Sequence, residues 1–344
     1  MRALTYDSFR GPMVVSQVPE PSAPPGGVVV AVEATGLCRS DWHGWMGHDA
    51  DIVGFPHVPG HEFAGRIAEL GDGVTGFAVG DRVTAPFVQA CGACPTCAEG
   101  NGQVCPHQRQ PGFTDRGSFA EKVVVRAAAT NLVRLPDAVG MREAAALGCR
   151  VATAFRGVVH RGRIRKDEWL AVFGCGGVGL AAVMIGVAAG ARVIAVDVSR
   201  ASLSRARALG AEQVRLLEDA GRIQALTDGG VHVSVDAVGT PDAVAAALAS
   251  LRPRGRHVQI GLLADPAPPV PLGVVISHEL DVLGSHGMAA SDYAELLGWV
   301  GHGRLDLGAL LAPRASLSLD EAGAALAGMG EAASDGVLVI DPRN

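Results

Sequence analysis

The segment EWLAVFGCGGVG, residues 168–179, joins an apolar, strand-like run to the glycine spacing G-x-G-x-x-G, formed by Gly174, Gly176 and Gly179. A helix-like apolar stretch follows, and a second strand-like run, ARVIAV, ends in Asp197, 18 residues after the last glycine. Such glycines let the backbone approach a pyrophosphate, the helix N-terminus supplies N–H donors, and the acid accepts hydrogen bonds from ribose hydroxyls. The segment therefore predicts a dinucleotide-binding α/β unit.

Two further strand-like runs, VHVSVDAVG (231–239) and RHVQIGLL (256–263), continue the alternation of strands and helices. This alternation is typical of a doubly wound parallel sheet. A carboxylate at Asp197 would repel the 2′-phosphate of NADP, so the sequence favours NAD. Arg200 is a weak signal for NADP and is interpreted as a solvated residue at a helix start. An α/β domain that binds nothing is the less favoured alternative.

Length and composition narrow the class of protein. The 344 residues, 48% of them hydrophobic, predict two domains, because single cores rarely exceed about 300 residues. A net charge of −6 offers no basic field for nucleic acid or an anionic membrane. Residues 169–191 carry no charge, but their glycines indicate a buried strand, turn and helix rather than a membrane span. The N-terminus shows no signal-peptide pattern, so the expected location is the cytoplasm.

Four of the seven cysteines fall within residues 91–105, in the pattern C-x2-C-x2-C-x7-C formed by Cys91, Cys94, Cys97 and Cys105. In a reducing compartment such thiols are expected to bind metal rather than form disulfides. Four thiolates close the coordination shell of Zn²⁺, which predicts a structural site. An iron–sulfur cluster is the alternative, since Cys105-Pro106 also matches a pattern of that class.

Three further candidate ligands, Cys38, His61 and Cys149, are remote from one another along the chain. Their spacing alone predicts no metal site. The alternative is that each is an ordinary buried core residue, because free cysteine is among the most buried residue types.

Taken together, the motifs occur in an order that resembles the zinc-dependent medium-chain alcohol dehydrogenases along essentially the whole chain. They are GLCRSDWHGW, PGHEFAGRIAELG, the four-cysteine loop, GDRV, GSFAE, the cysteine ahead of the glycine turn, and GCGGVG followed by VD. The resemblance implies an α/β fold in which a Rossmann domain, 151–285, is inserted into a GroES-like β-barrel catalytic domain, 1–150 and 286–344. It also implies a structural zinc lobe over residues 88–108.

The resemblance further implies two zinc ions per subunit, with NAD as the cofactor and NADP less favoured. It assigns a catalytic zinc to Cys38, His61 and Cys149, with Glu62 nearby, and a structural zinc to the four-cysteine loop. Asp41 would receive the other ring N–H of the ligand histidine. Ser40 and His43 would relay the substrate proton to solvent; the alternative role of Ser40 is to cap a helix.

The activity implied is reversible oxidation of a primary or secondary alcohol, with hydride transfer from a zinc-bound alkoxide to nicotinamide. Beyond the glycines and Asp197, the implied cofactor contacts are Arg39, Thr153, Val178, Ile260 and Leu262. Trp45 and Phe87 are implied in an apolar substrate pocket, which suits uncharged alcohols or aldehydes. The alternative for each of these second-tier residues is plain packing or a solvated surface position.

The same scaffold also carries other activities. A polyol, amino-alcohol or glutathione-adduct dehydrogenase on the same scaffold is the alternative activity, and a non-catalytic cofactor-binding relative is a remote one. The resemblance alone implies an assembly, a homotetramer with a homodimer second. Asp335-Gly336 stands where many relatives carry a basic residue, so no cofactor contact is predicted in that loop.

Overall fold

The computed structural model describes residues 1–263, 270–330 and 336–344. These residues form two compact units, Met1–Ala152 with Gly287–Asn344, and Thr153–His286. Most of the Pro-rich loop predicted at 265–271 lies outside the described residues, and so does Asp335. The predicted roles of the two domains stay predictions.

The regular elements are numbered in chain order. The strands of the described residues are β1 (Arg2–Thr5), β2 (Val14–Gln17), β3 (Val28–Leu37), β4 (Glu62–Leu70), β5 (Arg82–Thr84), β6 (Lys122–Val125), β7 (Val133–Arg134), β8 (Trp169–Phe173), β9 (Arg192–Asp197), β10 (Gln213–Leu216), β11 (Val231–Asp236), β12 (Leu251–Gln259), β13 (Asp281–Gly284) and β14 (Leu338–Ile340). The α-helices are α1 (Arg39–Trp45), α2 (Pro95–Ala98), α3 (Ala128–Asn131), α4 (Met141–Ala145), α5 (Ala152–Phe155), α6 (Gly177–Ala188), α7 (Arg200–Ala208), α8 (Ile223–Leu226), α9 (Pro241–Ala249), α10 (Leu272–Ser277), α11 (Tyr293–Gly301) and α12 (Leu319–Ala327). Two π-helical turns span Leu147–Val151 and Arg156–Arg161, and short 3₁₀ turns span Gly102–Val104, Leu217–Arg222, Ala290–Asp292, Leu307–Leu310 and Gly328–Gly330.

The first unit is built on an antiparallel sheet in the order β14-β3-β4-β5-β7, with β6 also paired to β3. Valines along β3 alternate toward a core that they share with Phe63 and Ile67 of β4, as β-branched residues on a pleated surface do. The Gly-rich stretch after β4 returns the chain to β5 as an antiparallel neighbour. The predicted GroES-like barrel is confirmed as part of the fold class.

The second unit contains a six-stranded parallel sheet in the order β10-β9-β8-β11-β12-β13. All five residues of β8 are buried, as expected of a strand covered on both faces. The strand order reverses between β8 and β11, and in such sheets ligands bind at the carboxyl ends of the strands beside the reversal. The predicted doubly wound parallel sheet is confirmed.

Two predicted strand boundaries are wrong. The strand expected at 231–239 is β11, which ends at Asp236. The strand expected at 256–263 is β12, which begins at Leu251 and ends at Gln259. It ends early because the backbone N–H groups of Ile260 and Gly261 both donate to the carbonyl oxygen of Asp236, at 2.9 Å, which turns the chain out of the ladder.

The uncharged run at 169–191 divides into β8, the glycine turn and the 12-residue helix α6. Across the described ranges, every helix is too short or too polar to cross a bilayer.

Candidate functional site

Four buried side chains from three separate segments of the first unit meet at one point. They are Cys38, His61, Glu62 and Cys149, and their ligand atoms all lie within 4.8 Å of one another. Cys38 is the N-cap of α1, His61 and Glu62 stand at the start of β4, and Cys149 lies on the π-helical turn at Leu147–Val151. The hydroxyl of Thr35 on β3 donates to the carbonyl oxygen of Glu62 at 2.7 Å, which fixes the entry into β4.

Asp41 organises this cluster. Its Oδ1 lies 2.8 Å from His61 Nδ1 and accepts from the backbone N–H of Gly60 at 3.1 Å. Its Oδ2 accepts from the backbone N–H of Cys38 at 3.1 Å, which starts α1. Cys38, rather than Ser40, therefore caps this helix.

The orientation of His61 leaves one ring nitrogen available. Nδ1 is bound to Asp41, whereas the buried Nε2 has no hydrogen-bond partner among the residues that the structure describes. A buried polar atom without a partner is costly, and a metal ion would satisfy it. Burial alone would lower the pKa of His61, but the carboxylate of Asp41 raises this pKa well above its ordinary value.

The two thiols are coupled to each other. The Cys149 thiol, whose sulfur lies within 4.8 Å of that of Cys38, holds the pKa of Cys38 well below its ordinary value despite burial. The same contact raises the pKa of Cys149 well above its ordinary value. Because metal ligands are thiolates, a divalent cation would replace the proton between these sulfurs. Two thiolates and an imidazole are a donor set that fits zinc.

Arg150 forms a buried ion pair with Glu62 that is not predicted from the sequence. The Arg150 backbone N–H donates to Glu62 Oε1 at 2.9 Å, and Nε lies 2.9 Å from both carboxylate oxygens. Nη2 also contacts Oε2. The signal in the sequence is an arginine inside the apolar run AAALGCRVATAF, directly after Cys149.

Two phenyl rings flank His61. The ring centroids of Phe87 and Phe113 lie 6.0 Å and 5.4 Å from that of His61. Phe113 is a second residue that the sequence does not single out. Trp45 has different surroundings: it packs in the cluster that contains Leu4, and its indole N–H donates to the carbonyl oxygen of Gly11 at 2.9 Å.

The predicted relay residues lie on or beside α1. Ser40 Oγ lies 3.9 Å from Cys38 Sγ, and His43 Nδ1 lies 3.0 Å from Nδ1 of the exposed His48. Burial, followed by the positive charges of His48 and Arg39, lowers the pKa of His43. The exposed Arg39 donates to the carbonyl oxygen of Met329 at 2.8 Å.

The second cysteine cluster is the loop at Cys91, Cys94, Cys97 and Cys105. Four of its sulfur–sulfur distances are 3.4, 3.6, 3.8 and 3.9 Å. Sulfurs about 2.3 Å from one tetrahedral ion would be about 3.8 Å apart, so the loop fits a single zinc better than a multi-iron cluster. The backbone N–H of Ala93 donates to the Cys91 sulfur and lowers its pKa to about 6, which favours the thiolate.

The glycine turn of the second unit adopts the geometry that a pyrophosphate needs. Gly174 has a φ of +88°, and a Cβ on Gly179 would lie 1.7 Å from the carbonyl oxygen of Gly174. Both positions therefore exclude larger side chains. Gly176 is the N-cap of α6, with Val178 in its first turn. The helix N-terminus thus follows the turn directly.

Asp197 closes this turn at the end of β9. Its Oδ2 accepts from the Cys175 backbone N–H at 2.6 Å and its Oδ1 accepts from that of Ser199 at 2.7 Å. The carboxylate is thus held beside the glycines.

The other predicted cofactor residues of this unit differ in exposure. Thr153 has a buried hydroxyl for which the described part of the chain offers no hydrogen-bond partner. Ile260 packs closely on Gly157, and Leu262 is 78% exposed.

The chain matches known proteins over most of its length. Residues 24–137 match the family described as "Alcohol dehydrogenase GroES-like domain", and residues 177–301 match the one described as "Zinc-binding dehydrogenase". An alcohol dehydrogenase of Geobacillus stearothermophilus is 33% identical over 308 residues, covering 89% of this chain and 90% of the relative. A sorbitol dehydrogenase of Halalkalibacterium halodurans is 33% identical over 294 residues, covering 83% and 84%.

The fold agrees with these matches. An alcohol dehydrogenase structure from Thermus sp. ATN1 superposes with a TM-score of 0.90 at 29% identity, covering 99% of both chains. The predicted family is confirmed: this chain belongs to the zinc-dependent medium-chain dehydrogenases, as an oxidoreductase of the alcohol dehydrogenase type.

Proposed function

We propose that this protein catalyses the reversible, zinc- and NAD-dependent oxidation of a primary or secondary alcohol to an aldehyde or ketone. The observation that supports this most strongly is the unpartnered Nε2 of His61, buried beside the sulfurs of Cys38 and Cys149. Two sulfurs and one imidazole leave zinc a fourth position for substrate, whereas four cysteines leave none. We therefore propose a catalytic zinc at this cluster and a structural zinc at the four-cysteine loop.

In this proposal the bound zinc supplies a Lewis acid that polarises the substrate oxygen. The chain supplies the rest. Asp41 fixes the imidazole of His61 with Nε2 toward the metal position and increases its basicity as a ligand. The phenyl rings of Phe87 and Phe113 keep water away from that side of the histidine.

The substrate proton would leave through Ser40 and His43. Because its pKa is lowered, the imidazole of His43 is neutral near pH 7 and can accept a proton. The exposed His48, 3.0 Å away, would then pass that proton to water. This extends the two-residue relay predicted from the sequence by one imidazole.

The His48→Gln variant should move the acid limb of the pH profile of kcat/KM for alcohol oxidation. Removing the positive charge of His48 removes a repulsion that lowers the pKa of His43, so activity should be lost at a higher pH than in the wild type, by less than about one unit. The exposed His302→Gln serves as the matched control and should leave the limb in place. An unchanged limb in His48→Gln would exclude His48 from the relay.

For the cofactor we propose the glycine turn as the pyrophosphate site and Asp197 as the acceptor for the ribose hydroxyls, which favours NAD. One feature of the second unit favours NADP instead. Arg200, Arg215 and Arg222 line a cavity of about 630 Å³ together with Asp219, and Arg222 is paired with that acid at 3.5 Å. The negative charge of Asp197 and the positive charge of this cavity therefore compete for the 2′ position.

The wild type should prefer NAD over NADP in kcat/KM, and Asp197→Asn should reduce this preference about tenfold, because the amide keeps the shape and removes the charge that repels a 2′-phosphate. The comparison variant Arg200→Gln should change the preference in the opposite direction. A wild type that prefers NADP would show that the arginines dominate and would overturn the assignment of NAD.

The apolar, aromatic surroundings of His61 favour an uncharged alcohol. A polyol, amino-alcohol or glutathione-adduct dehydrogenase remains the second candidate, and the similarity to a sorbitol dehydrogenase supports the polyol case. The complete donor set argues against a non-catalytic relative. Initial rates with primary, secondary, aromatic and polyol substrates test the proposal: turnover of simple alcohols supports it, whereas turnover of sorbitol alone would replace it with the second candidate.

For the assembly we propose a homotetramer, with a homodimer second. Within the described residues β13 is the edge strand of the parallel sheet and pairs only with β12; Val282 on it is 46% exposed, and Leu272 and Ile276 on the preceding helix α10 are 63% and 76% exposed. Exposed apolar edges of this kind are usually covered by another chain. The cytoplasmic location stays a prediction.

A further inference from the structure

We propose that Arg150 is a positioning residue that holds the Glu62 carboxylate out of the fourth ligand position at the metal site, so that this position stays open to substrate. The inference rests on the proposed function in one respect: it requires a divalent cation at Cys38, His61 and Cys149.

Glu62 is placed to become a ligand itself. Its carboxylate lies within 4.8 Å of the donor atoms of Cys38, His61 and Cys149, and the side chain is fully buried. Carboxylate oxygens bind zinc at about 2.0–2.2 Å, so a small movement of this side chain would complete a tetrahedron. A site closed in that way would have no room for an alcohol.

Arg150 occupies both oxygens of that carboxylate. Its backbone N–H and its Nε hold Oε1 at 2.9 Å, while Nε and Nη2 hold Oε2. A guanidinium that contacts both oxygens of a carboxylate fixes the orientation of that carboxylate as well as balancing its charge. Arg150 follows Cys149 on the same π-helical turn, so this one turn carries both the proposed metal ligand and the arginine that holds the Glu62 carboxylate.

The backbone of β3 closes the other side of the pair. A Cβ on Gly36 would lie 2.4 Å from Glu62 Oε2 and 2.7 Å from Arg150 Nη2. The absence of a side chain at Gly36 therefore lets the ion pair lie against the strand.

The buried charges around Glu62 predict the effect of removing Arg150. With a metal ion bound, Glu62, Asp41 and the thiolates of Cys38 and Cys149 would form a buried group of anions, and Arg150, only 5% exposed, is the cation bound directly to Glu62. A buried carboxylate that loses its partner is strongly destabilised. The nearest remaining cation would be the metal ion, and Glu62 would turn toward it.

The test uses cobalt-substituted protein, because the absorption of Co²⁺ reports its ligands independently of activity. The spectrum of the four-cysteine site is subtracted with a Cys38→Ala/His61→Ala double variant. In Arg150→Met the visible absorption bands of Co²⁺ should shift, and X-ray absorption should show one added oxygen donor to the ion. Release of the cobalt to a chelator should slow at least about tenfold. Alcohol oxidation should fall, while the exposed Arg142→Met should match the wild type in every measurement.

Rescue separates this role from simple structural support. Adding Glu62→Gln to Arg150→Met should return the cobalt spectrum to the wild-type form, because the amide is a poor ligand. If Arg150→Met does not fold, Arg150→Lys replaces it, and a mixture of the two spectra is expected because one ammonium cannot hold both oxygens. A folded Arg150 variant with the wild-type spectrum would overturn the proposal. A wild type that takes up no cobalt at the three-residue site would instead overturn the proposed function.

Discussion

Replacing Cys149 with serine should reduce kcat/KM for alcohol oxidation by about a thousandfold or more, equivalent to roughly 4 kcal/mol of transition-state stabilisation. A serine hydroxyl does not ionise as a thiol does, so the three-residue donor set loses one of its two anionic ligands. The variant should still bind NADH, because the glycine turn and Asp197 belong to the other compact unit. Steady-state kinetics and titration of NADH fluorescence measure the two properties separately.

The same two measurements can contradict the assignment of Cys149 as a ligand of the catalytic metal. Unchanged turnover in Cys149→Ser would mean that Cys149 does not hold a catalytic metal. Loss of NADH binding together with turnover would mean that the variant had unfolded, and circular dichroism would show this.

Replacing Cys94 with serine should destabilise the protein without removing the catalytic metal. Cys94 is buried and its sulfur lies 3.4 Å from that of Cys97 and 3.8 Å from that of Cys105. The lobe has little other core, since its cluster consists of the four cysteines and Ala90. Loss of a structural metal is among the largest single-residue effects on folding, and we expect the melting temperature to fall by about 5–10 °C.

Calorimetry on Cys94→Ser checks this expectation, with metal content measured in the same sample. One zinc per subunit should remain, and the initial rate at a temperature well below the transition should stay within about twofold of the wild type. Glu99→Gln, an exposed change in the same lobe, is the matched control and should melt like the wild type. A Cys94→Ser protein with wild-type stability would show that the loop holds no structural metal.

The features that could be predicted from the sequence depend on short-range patterns. Fewer than about 30 residues contain the glycine turn, the flanking strands β8 and β9, and the acid at Asp197. Their spacing along the chain is therefore enough to specify the geometry of the turn. The four-cysteine loop is equally local, because cysteines two residues apart place sulfurs around one centre.

The cluster proposed to hold the catalytic metal could not be predicted in this way. Cys38, His61 and Cys149 are brought together by the antiparallel pairing of β3 with β4 and by a π-helical turn far along the chain, and no local pattern encodes that meeting. Only the resemblance to a known family connected them. Their convergence in the structure supports the assignment, which remains a proposal about function.

Two contacts near the cluster escaped prediction for a different reason. Arg150 stands in an apolar run, where a single charge has no periodicity to reveal its partner 88 residues away. His48 lies beyond the end of α1, and its contact with His43 depends on how the chain turns after Trp45.

The most direct test of a three-residue catalytic metal site is the zinc content of the purified protein, compared with that of the Cys38→Ala/His61→Ala double variant. We predict two zinc ions per subunit in the wild type and one in the double variant. A single zinc in the wild type, or two in the double variant, would contradict the metal site on which the proposed chemistry depends.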